Sequence, residues 1–359
     1  MNNTPKLTAV DLFCGGGGLT VGLKKAHFNV IAAVENEPNA IATYKSNHPK
    51  TYLFENDIRN ISGKELLNYS PNGRLDFLTG CPPCQGFTSL TQKYKREDPR
   101  NELVLEFARL IRETTPSAIM MENVPGLEKR GHRLLKPLLD TLSDLGYVPQ
   151  LEVLQVADYG VPQFRRRLVL IAGKGFKIPF PNPTYSKDGI GRHKWRTVRQ
   201  CIFDFPEPNT FTQAKEAGIE NTDWHVVRNI SALNLERLRH AIPGKHWNNI
   251  PDELQPECHK GNYNGFANVY GRMEWDQVSP TITGGCTSIS KGRFGHPEAL
   301  RTISVREAAC LQTFPKNYRF PSPYIDQVCK IIGNALPCLF AEKLAAQCYK
   351  YLIEHQINQ

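Results

Sequence analysis

A cysteine stands directly after two prolines in the block Gly80-Cys81-Pro82-Pro83-Cys84-Gln85-Gly86-Phe87. The preceding apolar run, Leu75–Thr79, is typical of a short buried strand. Because proline continues neither a helix nor a central strand, the strand must end here and leave Cys84 on a stiff turn. A thiolate is the strongest common side-chain nucleophile near neutral pH. The block therefore predicts a nucleophile at the end of a strand.

Other interpretations of the Cys-x-x-Cys spacing are half of a zinc site, a redox pair or an inert buried thiol. The chain contains no second Cys-x-x-Cys, and no thioredoxin-like context surrounds the prolines. The ten histidines also lack metal-ligand spacing, so we predict no metal. The inert thiol stays open on these residues alone.

Residues 1–174 alternate strand-like and helix-like segments, which predicts an α/β fold with a doubly wound, mostly parallel sheet. Ligands bind such sheets at the carboxyl ends of the strands. Unusual glycine, acidic and thiol residues follow one strand after another, which indicates a single crevice. These residues are Gly15–Gly18, Glu35, Asp57, Cys84 and Glu122.

The glycine-rich turn Gly15–Gly18 allows the backbone to approach a ligand closely at the start of a helix. It lacks the Gly-Lys-Ser/Thr of a phosphate loop, and Thr20 stands where a dinucleotide fingerprint has its third glycine. Glu35, about twenty positions after the loop, suits a ribose diol. Asp57 suits an adenine amino group. Together they predict a cofactor that contains adenosine, although a plain tight turn is the alternative for the glycines.

The composition predicts a soluble protein with one large domain and a smaller one. The 359 residues are 40% hydrophobic and 22% charged, and the net charge of +9 favours an anionic partner such as nucleic acid. The chain has no apolar run of transmembrane length and no signal-peptide core, and its ten cysteines lack the spacing of a disulfide framework, so we expect reduced thiols in a cytoplasm. Residues 175–303 are rich in proline and glycine and predict a separate loop-rich domain.

The chain resembles the C5-cytosine-specific DNA methyltransferases of bacterial restriction-modification systems, which are built on the Rossmann-like class I S-adenosylmethionine methyltransferase fold. The resemblance covers residues 1–174 and about 270–359 and follows the family's order of motifs. The blocks are Asp11-Leu12-Phe13-Cys14-Gly15-Gly16-Gly17-Gly18, the Pro-Cys-Gln block at Cys84, Glu122-Asn123-Val124, Gln163-Phe164-Arg165-Arg166-Arg167, Arg306-Glu307-Ala308-Ala309 with Leu311-Gln312 and Phe314-Pro315, and Gly333-Asn334-Ala335.

This resemblance implies a role for each matching residue. Cys84 would be the nucleophile, Glu122 the carboxyl group on the cytosine ring, and Arg165 and Arg167 the arginines near the flipped base. The segment Gln92–Arg100 would close over DNA phosphates, with a solvated charged loop as the alternative. Residues that would hold the S-adenosylmethionine cofactor are Phe13, Gly15, Gly17, Glu35, Asn36, Asp57, Ile58 and Asn334.

The resemblance also implies the activity and the domain order. We expect a monomeric, sequence-specific DNA (cytosine-5-)-methyltransferase that acts on double-stranded DNA in a bacterial or phage-infected cytoplasm, with any cognate endonuclease acting independently. Residues 1–174 and 304–359 would form a discontinuous catalytic domain, and residues 175–303 a target-recognition domain. Alternatives are an RNA cytosine-5 methyltransferase and a catalytically silent DNA-binding subunit; amino-group methylation is disfavoured because a cysteine follows the prolines. The amino-acid sequence does not indicate which DNA sequence the enzyme would recognise.

Overall fold

A computed structural model describes residues 6–83, 99–219, 223–245, 247–260 and 268–357. They fall into two compact units. Unit 1 comprises Met1–Tyr159, Arg166–Pro183 and Leu336–Gln359. Unit 2 comprises Gly160–Arg165 and Thr184–Ala335. In the described ranges, no helix is long and apolar enough to cross a membrane.

A seven-stranded sheet forms the centre of unit 1. Its order is β3-β2-β1-β4-β5-β7-β6, and β7 runs antiparallel to both of its neighbours. The other pairs are parallel, so the predicted α/β fold with a mostly parallel, doubly wound sheet is confirmed. The strands are β1 Thr8–Leu12, β2 Asn29–Glu35, β3 Tyr52–Glu55, β4 Phe77–Gly80, β5 Ala118–Asn123, β6 Tyr147–Gln155 and β7 Arg166–Lys174.

Successive residues of a strand point to opposite sides of the sheet, so both faces carry apolar side chains. Helices pack against both faces. Val10 and Leu12 of β1 lie in a core cluster with Phe107 and Leu110, whereas Asp11 between them bonds Thr20. The described helices of unit 1 are α1 Gly18–Lys25, α2 Pro38–Asn47, α3 Gly63–Leu67, α4 Leu103–Thr114, α5 Gly126–Arg130, α6 His132–Asp144 and, at the end of the chain, Cys338–Ile357.

The terminal helix Cys338–Ile357 belongs to unit 1 although about 150 residues of unit 2 precede it. It packs against α1 so closely that a Cβ on Gly22 would lie 2.5 Å from Ala341 Cβ. Lys25 also forms an ion pair with Glu342 at 3.5 Å. Unit 1 is therefore discontinuous in sequence.

Unit 2 has little regular structure. Val305–Leu311 begins with the predicted capping box, in which Ser304 and Glu307 bond each other's backbone amides. The described strands of this unit are β8 Tyr185–Ser186, β9 His193–Lys194, β10 Asn209–Thr210 and β11 Val226–Val227. Its described α-helices are α7 Arg199–Ile202, α8 Phe211–Ala217, α9 Ala232–His240, α10 Val305–Leu311 and α11 Ile325–Asn334, so that Cys338–Ile357 is α12.

Residues 304–335, which we predicted with the catalytic domain, lie in unit 2. Helix α10 packs against α7 and β11, and the Arg306 guanidinium donates to the carbonyls of Asp223 at 2.7 Å and Tyr318 at 2.9 Å. These contacts within the unit explain why the segment does not group with the sheet. The assignment of catalytic and target-recognition functions to the two domains stays a prediction.

Candidate active site

The glycine-rich turn after β1 has a left-handed backbone at three positions. Phe13, Gly15 and Gly17 have φ angles of 57°, 54° and 90°. A Cβ on Gly15 would meet nothing within 4 Å, so backbone conformation rather than crowding requires glycine there. Phe13 adopts the same region with a bulky side chain, which is costly and is found mainly at functional sites. The turn leads directly into α1, as predicted.

Glu35, at the end of β2, holds this turn in place. Its Oε2 accepts a hydrogen bond from the Gly15 amide at 2.8 Å. Its Oε1 accepts from the amides of Asn36 and Glu37, each at 2.9 Å. Asn36 itself is exposed. In the structure Glu35 fixes the glycine turn against the neighbouring strand, and its predicted contact with a ribose stays a prediction.

Asp57 lies just beyond β3 and is paired with Arg59, an arginine outside the sequence motifs. Arg59 donates to its Oδ1 through Nε at 2.9 Å and to its Oδ2 through Nη2 at 2.6 Å. The hydrogen bonds from Arg59 lower the pKa of Asp57 to about 2. Ile58 is buried in the core cluster. Asp57 is therefore a hydrogen-bond acceptor at any physiological pH, as an amine ligand needs to be.

Asp11 is a buried carboxyl group that sequence analysis did not assign to the site, although it stands alone as a charge in an apolar strand. Its Oδ2 accepts from Thr20 Oγ1 at 2.6 Å, and Thr20 Oγ1 lies 2.9 Å from the Tyr44 hydroxyl. Its Oδ1 is buried and has no hydrogen-bond partner among the described residues. Burial, with a smaller contribution from Glu35, raises the pKa of Asp11 to about 7. An acceptor atom without a donor thus lies beside the glycine turn.

Glu122 lies near the end of β5, buried to 7% exposure, and pairs with Arg167 of β7. Arg167 Nε donates to Glu122 Oε1 at 2.6 Å. Burial lowers the pKa of Arg167 and the Glu122 carboxylate opposes that shift, so the guanidinium stays charged at neutral pH. The structure brings together these two predicted catalytic residues.

The turn after β4 is tied to the same strand end. Strand β4 ends at Gly80, as the two prolines predict, and Asn123 Nδ2 donates to the Pro82 carbonyl at 3.1 Å. Burial and then the neighbouring Glu122 carboxylate raise the pKa of the Cys81 thiol. Cys81 is therefore a protonated, weak nucleophile. Cys84, the predicted nucleophile, and Gln92–Asp98 lie outside the described residues.

Arg165 is in unit 2, and its guanidinium donates to several backbone carbonyls. Its guanidinium donates to the carbonyls of Ile282 at 2.9 Å, Gly333 at 3.2 Å and Ala335 at 3.3 Å. The side chain is 3% exposed. Asn334, between two of these carbonyls, is exposed at the end of α11. Arg165 is thus grouped with unit 2 and Arg167 with unit 1, and the roles predicted for both stay predictions.

Glutamines of the matched blocks also hold unit 2 together. Gln163 Nε2 donates to Gln312 Oε1 at 2.7 Å, and Gln163 Oε1 accepts from the Ile282 amide at 2.9 Å. Gln312 Nε2 donates in turn to the Ile332 carbonyl at 2.6 Å. The two glutamines therefore connect the block that contains Gln163 to the blocks near the end of the chain, through one contact with each other and through hydrogen bonds to backbone groups. Among the residues that the structure places, no group of three His, Cys, Asp or Glu side chains has the geometry of a metal site.

Comparison with known proteins identifies the family. The family model described as C-5 cytosine-specific DNA methylase matches residues 7–350. The chain belongs to this family. It is a DNA (cytosine-5-)-methyltransferase by family and has the Rossmann-like fold of these enzymes, so the predicted recognition, fold and enzyme class are confirmed.

Curated relatives extend over almost the whole chain. The type II methylase M.HgiDII of Herpetosiphon aurantiacus is 40% identical over 349 residues, which are 96% of this chain and 95% of that protein. The type II methyltransferase M1.HphI of Haemophilus parahaemolyticus is 34% identical over 96% of this chain and 87% of its own length.

Solved structures share the fold. A putative DNA modification methyltransferase encoded within an Escherichia coli prophage superposes with a TM-score of 0.72 at 23% identity, covering 99% of this chain and 100% of that one. The Dnmt2 methyltransferase of S. pombe gives a TM-score of 0.61 at 19% identity, covering 98% of this chain and 99% of that one.

Proposed function

We propose that the protein methylates carbon 5 of a flipped-out cytosine within a specific duplex DNA sequence. The observation that carries this proposal is the Glu122–Arg167 pair at 2.6 Å, which lies at the end of β5 where Asn123 holds the Pro82 turn. Such an arrangement places a carboxyl group beside the turn that leads to Cys84. Like the type II relatives, the enzyme would modify DNA in a restriction-modification system.

S-adenosylmethionine would bind at the carboxyl ends of β1, β2 and β3 and, when bound, supply the methyl group. The residues present fit this cofactor. The open space at Gly15 leaves room for a close approach, and Asp11 Oδ1 has no hydrogen-bond donor among the described residues. Asp57 is an ionised acceptor suited to the adenine amine.

The remaining cofactor assignments follow the family resemblance. Phe13 would stack on the adenine ring, and Glu35 would accept from the ribose while it keeps the Gly15 amide. Asn36 and Ile58 would line the adenosine site from the strand ends, and Asn334 would contribute from the far end of the chain.

Cys84 would act as the nucleophile. Carbon 5 of cytosine is weakly nucleophilic, and addition of a thiolate at carbon 6 makes it enamine-like, which divides one difficult step into easier ones. The Glu122 carboxylate would take up a proton from solvent and donate it to N3 as charge develops there, a contribution of roughly 10²–10⁴-fold. A base then removes the proton from carbon 5, and the Cys84 thiolate leaves. The base must leave the duplex first, at a cost of about a few kcal/mol.

The two arginines would have different functions. Arg167 contacts the Glu122 carboxylate and would orient it toward the cytosine ring. Arg165 donates to the carbonyls of Ile282, Gly333 and Ala335 and would be a positioning residue that holds the late blocks in unit 2. We further propose that unit 2 carries the target-recognition function, and that the enzyme acts as a monomer in the bacterial cytoplasm independently of any cognate endonuclease.

The experiment is to incubate the protein with plasmid DNA and methyl-labelled S-adenosylmethionine and to map modified cytosines by bisulfite sequencing. We expect 5-methylcytosine at one recurrent sequence, and none with Cys84→Ala. Label in RNA but not in DNA would replace the proposal with an RNA methyltransferase. DNA binding without any methylation would replace it with a silent binding subunit.

A further inference from the structure

Most arginines of unit 2 are engaged inside the fold. Arg272 donates to the His296 carbonyl at 3.0 Å, and Arg293 donates to the Gly244 carbonyl at 2.7 Å. Arg199 pairs through two nitrogens with Asp276 at 2.8 and 2.9 Å, and Arg228 pairs with Asp326 at 2.6 Å. These side chains stabilise unit 2 and are poorly placed to neutralise a phosphate backbone.

One loop of unit 2 differs. It runs from Ser186 to Lys194, between β8 and β9, and we name it the 186–194 loop. Lys187, Arg192 and Lys194 are exposed, and none of them forms an ion pair or a side-chain hydrogen bond with a described residue. Arg192 is near enough to Asp188, and Lys194 to Asp276, to contribute to lowering the pKa of each carboxyl group, but neither cation forms an ion pair with it. The loop thus presents three exposed cations that can still contact a partner.

The base of the loop is fixed by backbone and ring contacts. The His193 amide donates to the Thr184 carbonyl at 3.1 Å, and the Trp195 amide donates to the Ser186 carbonyl at 2.9 Å. The Tyr185 and His193 rings lie 5.3 Å apart between centroids. Two hydrogen bonds between the parallel strands β8 and β9 and one ring contact hold the two ends of the loop together.

The tip of the loop is also ordered. Asp188 Oδ1 accepts from Ser186 Oγ at 2.8 Å and from the Ile190 amide at 3.0 Å. Gly189 and Gly191 have φ angles of 76° and 66°, so glycine is required on either side of Ile190. The one carboxylate of the loop is therefore used internally, and the backbone is pre-organised.

Ile190 projects from this tip. It is 79% exposed, more than any other large apolar side chain in the described ranges. A single exposed apolar residue is ordinary on a protein surface. Here, however, it stands on a fixed tip between two glycines and among three available cations, an arrangement that matches a groove-reading element: cations contact phosphates, and the apolar side chain contacts a base edge such as a thymine methyl group.

We propose that the 186–194 loop enters a groove of the target duplex. Lys187, Arg192 and Lys194 contact phosphates, and Ile190 makes a base contact that contributes to sequence preference. This inference rests on the proposed function, since the partner is the same duplex DNA. The proposal predicts two separable effects on DNA binding. Phosphate contacts strengthen binding to every sequence, whereas a base contact strengthens binding only to the preferred sequence.

The first test measures binding of the full-length protein to duplexes with the mapped target site or a scrambled site, by fluorescence anisotropy from about 50 to about 200 mM salt. The triple variant Lys187→Ala/Arg192→Ala/Lys194→Ala should lose roughly 0.9 of log–log salt slope for each phosphate contact removed, on both duplexes. Lys136→Ala, which removes one exposed charge from α6 in unit 1, should keep the wild-type slope. Arg192→Lys retains the positive charge and should also keep the wild-type salt slope. This variant shows that a change at position 192 alone does not alter the slope through a folding defect.

The second test compares kcat/KM at the mapped site with kcat/KM at single-base variants of it. Ile190→Ala should lower cognate kcat/KM about tenfold and leave binding to the scrambled duplex unchanged, as loss of one base contact requires. Leu233→Ala, at a 50% exposed apolar residue of α9, is the matched control and should change neither.

The possible outcomes distinguish a failure of the loop proposal from a failure of the proposed function. If the wild-type protein methylates DNA but the triple variant keeps the wild-type salt slope, the loop proposal is overturned and the function stands. Equal loss of kcat/KM on all duplexes with Ile190→Ala would overturn the base contact. Absence of 5-methylcytosine with the wild-type protein would instead overturn the proposed function.

Discussion

Arg165 and Arg167 are two residues apart in one sequence block, yet they lie in different units and do different things. Arg167, in the sheet of unit 1, reaches the Glu122 carboxylate at 2.6 Å. Arg165, in unit 2, donates to backbone carbonyls of Ile282, Gly333 and Ala335. Two arginines of one motif therefore make different contacts: Arg167 pairs with a side-chain carboxylate, and Arg165 donates to main-chain carbonyls. In unit 1 the buried polar side chains lie at the ends of strands and pair with one another. In unit 2 the buried polar side chains form hydrogen bonds to backbone groups of irregular segments.

The largest expected effect is at Glu122. Glu122→Gln removes the proton that the cytosine ring needs, so kcat should fall about 10²–10⁴-fold. Arg167→Ala should lower kcat strongly alone but add little to Glu122→Gln, because the two side chains act as one unit. Single-turnover methylation of the mapped site measures both. Arg166→Ala, at the exposed residue between the two arginines, is the control; additive losses would refute the pairing.

Arg165 should affect stability rather than chemistry. Arg165→Ala removes the guanidinium that donates to the Ile282 and Gly333 carbonyls, whereas the Ala335 carbonyl keeps Gln312 Nε2 at 3.1 Å, and the free energy of unfolding should fall by about 3–5 kcal/mol. Denaturant unfolding of Arg165→Ala, Arg166→Ala and wild-type protein measures the difference. In material that is still folded, kcat should stay near the wild-type value. A stable Arg165→Ala protein with no activity would place Arg165 in the chemistry after all.

Asp11 should make unit 1 less stable as pH rises. Its folded-state pKa is about 7, above the usual value of 3.8, so the folded protein holds a proton that the unfolded chain releases between those values. The free energy of unfolding should therefore fall by about 2–3 kcal/mol between pH 5 and 8 through this group. Asp11→Asn should abolish that part of the pH dependence. Parallel pH profiles for the two proteins would contradict the assignment.

One glycine in each unit lies where a Cβ would meet neighbouring atoms closely. A Cβ on Gly333 would lie 2.1 Å from the Thr283 carbonyl carbon, whereas a Cβ on Gly22 would lie 2.5 Å from Ala341 Cβ. Gly333→Ala should destabilise the protein by about 3 kcal/mol and Gly22→Ala by about 1–2 kcal/mol, because only the second clash involves a side chain that can be removed. Adding Ala341→Gly should recover part of the Gly22→Ala loss. The denaturation midpoints of the variants show which substitution destabilises the protein more.

Much of unit 1 could be predicted from local sequence. The alternation of strand-like and helix-like segments predicted the α/β sheet, and Pro82-Pro83 predicted the end of the strand that the structure places at Phe77–Gly80. Unusual polar residues after successive strands identified one edge of the sheet. These signals are local, since strand periodicity and proline geometry act over a few residues.

The contacts of Arg165 and Glu35 could not be predicted in the same way. Arg165 bonds carbonyls that are 117 and 168 residues away, and a carbonyl carries no sequence signature. The Arg59 pair with Asp57 and the lone buried charge at Asp11 had local signals that a motif search passes over. Residues 304–335 joined unit 2 because their partners lie at 199–227, a pairing that periodicity does not report.

The most direct test of the central claim is covalent trapping on a duplex with 5-fluorocytosine at the mapped target position. The Cys84 thiolate adds to carbon 6, methyl transfer follows, and fluorine cannot leave as the proton does, so the adduct persists. Wild-type protein and Cys81→Ser should give a complex that survives denaturing electrophoresis, because the raised pKa of Cys81 keeps it a thiol; Cys84→Ser should give none. A stable adduct with Cys84→Ser, or its loss with Cys81→Ser, would contradict the assignment.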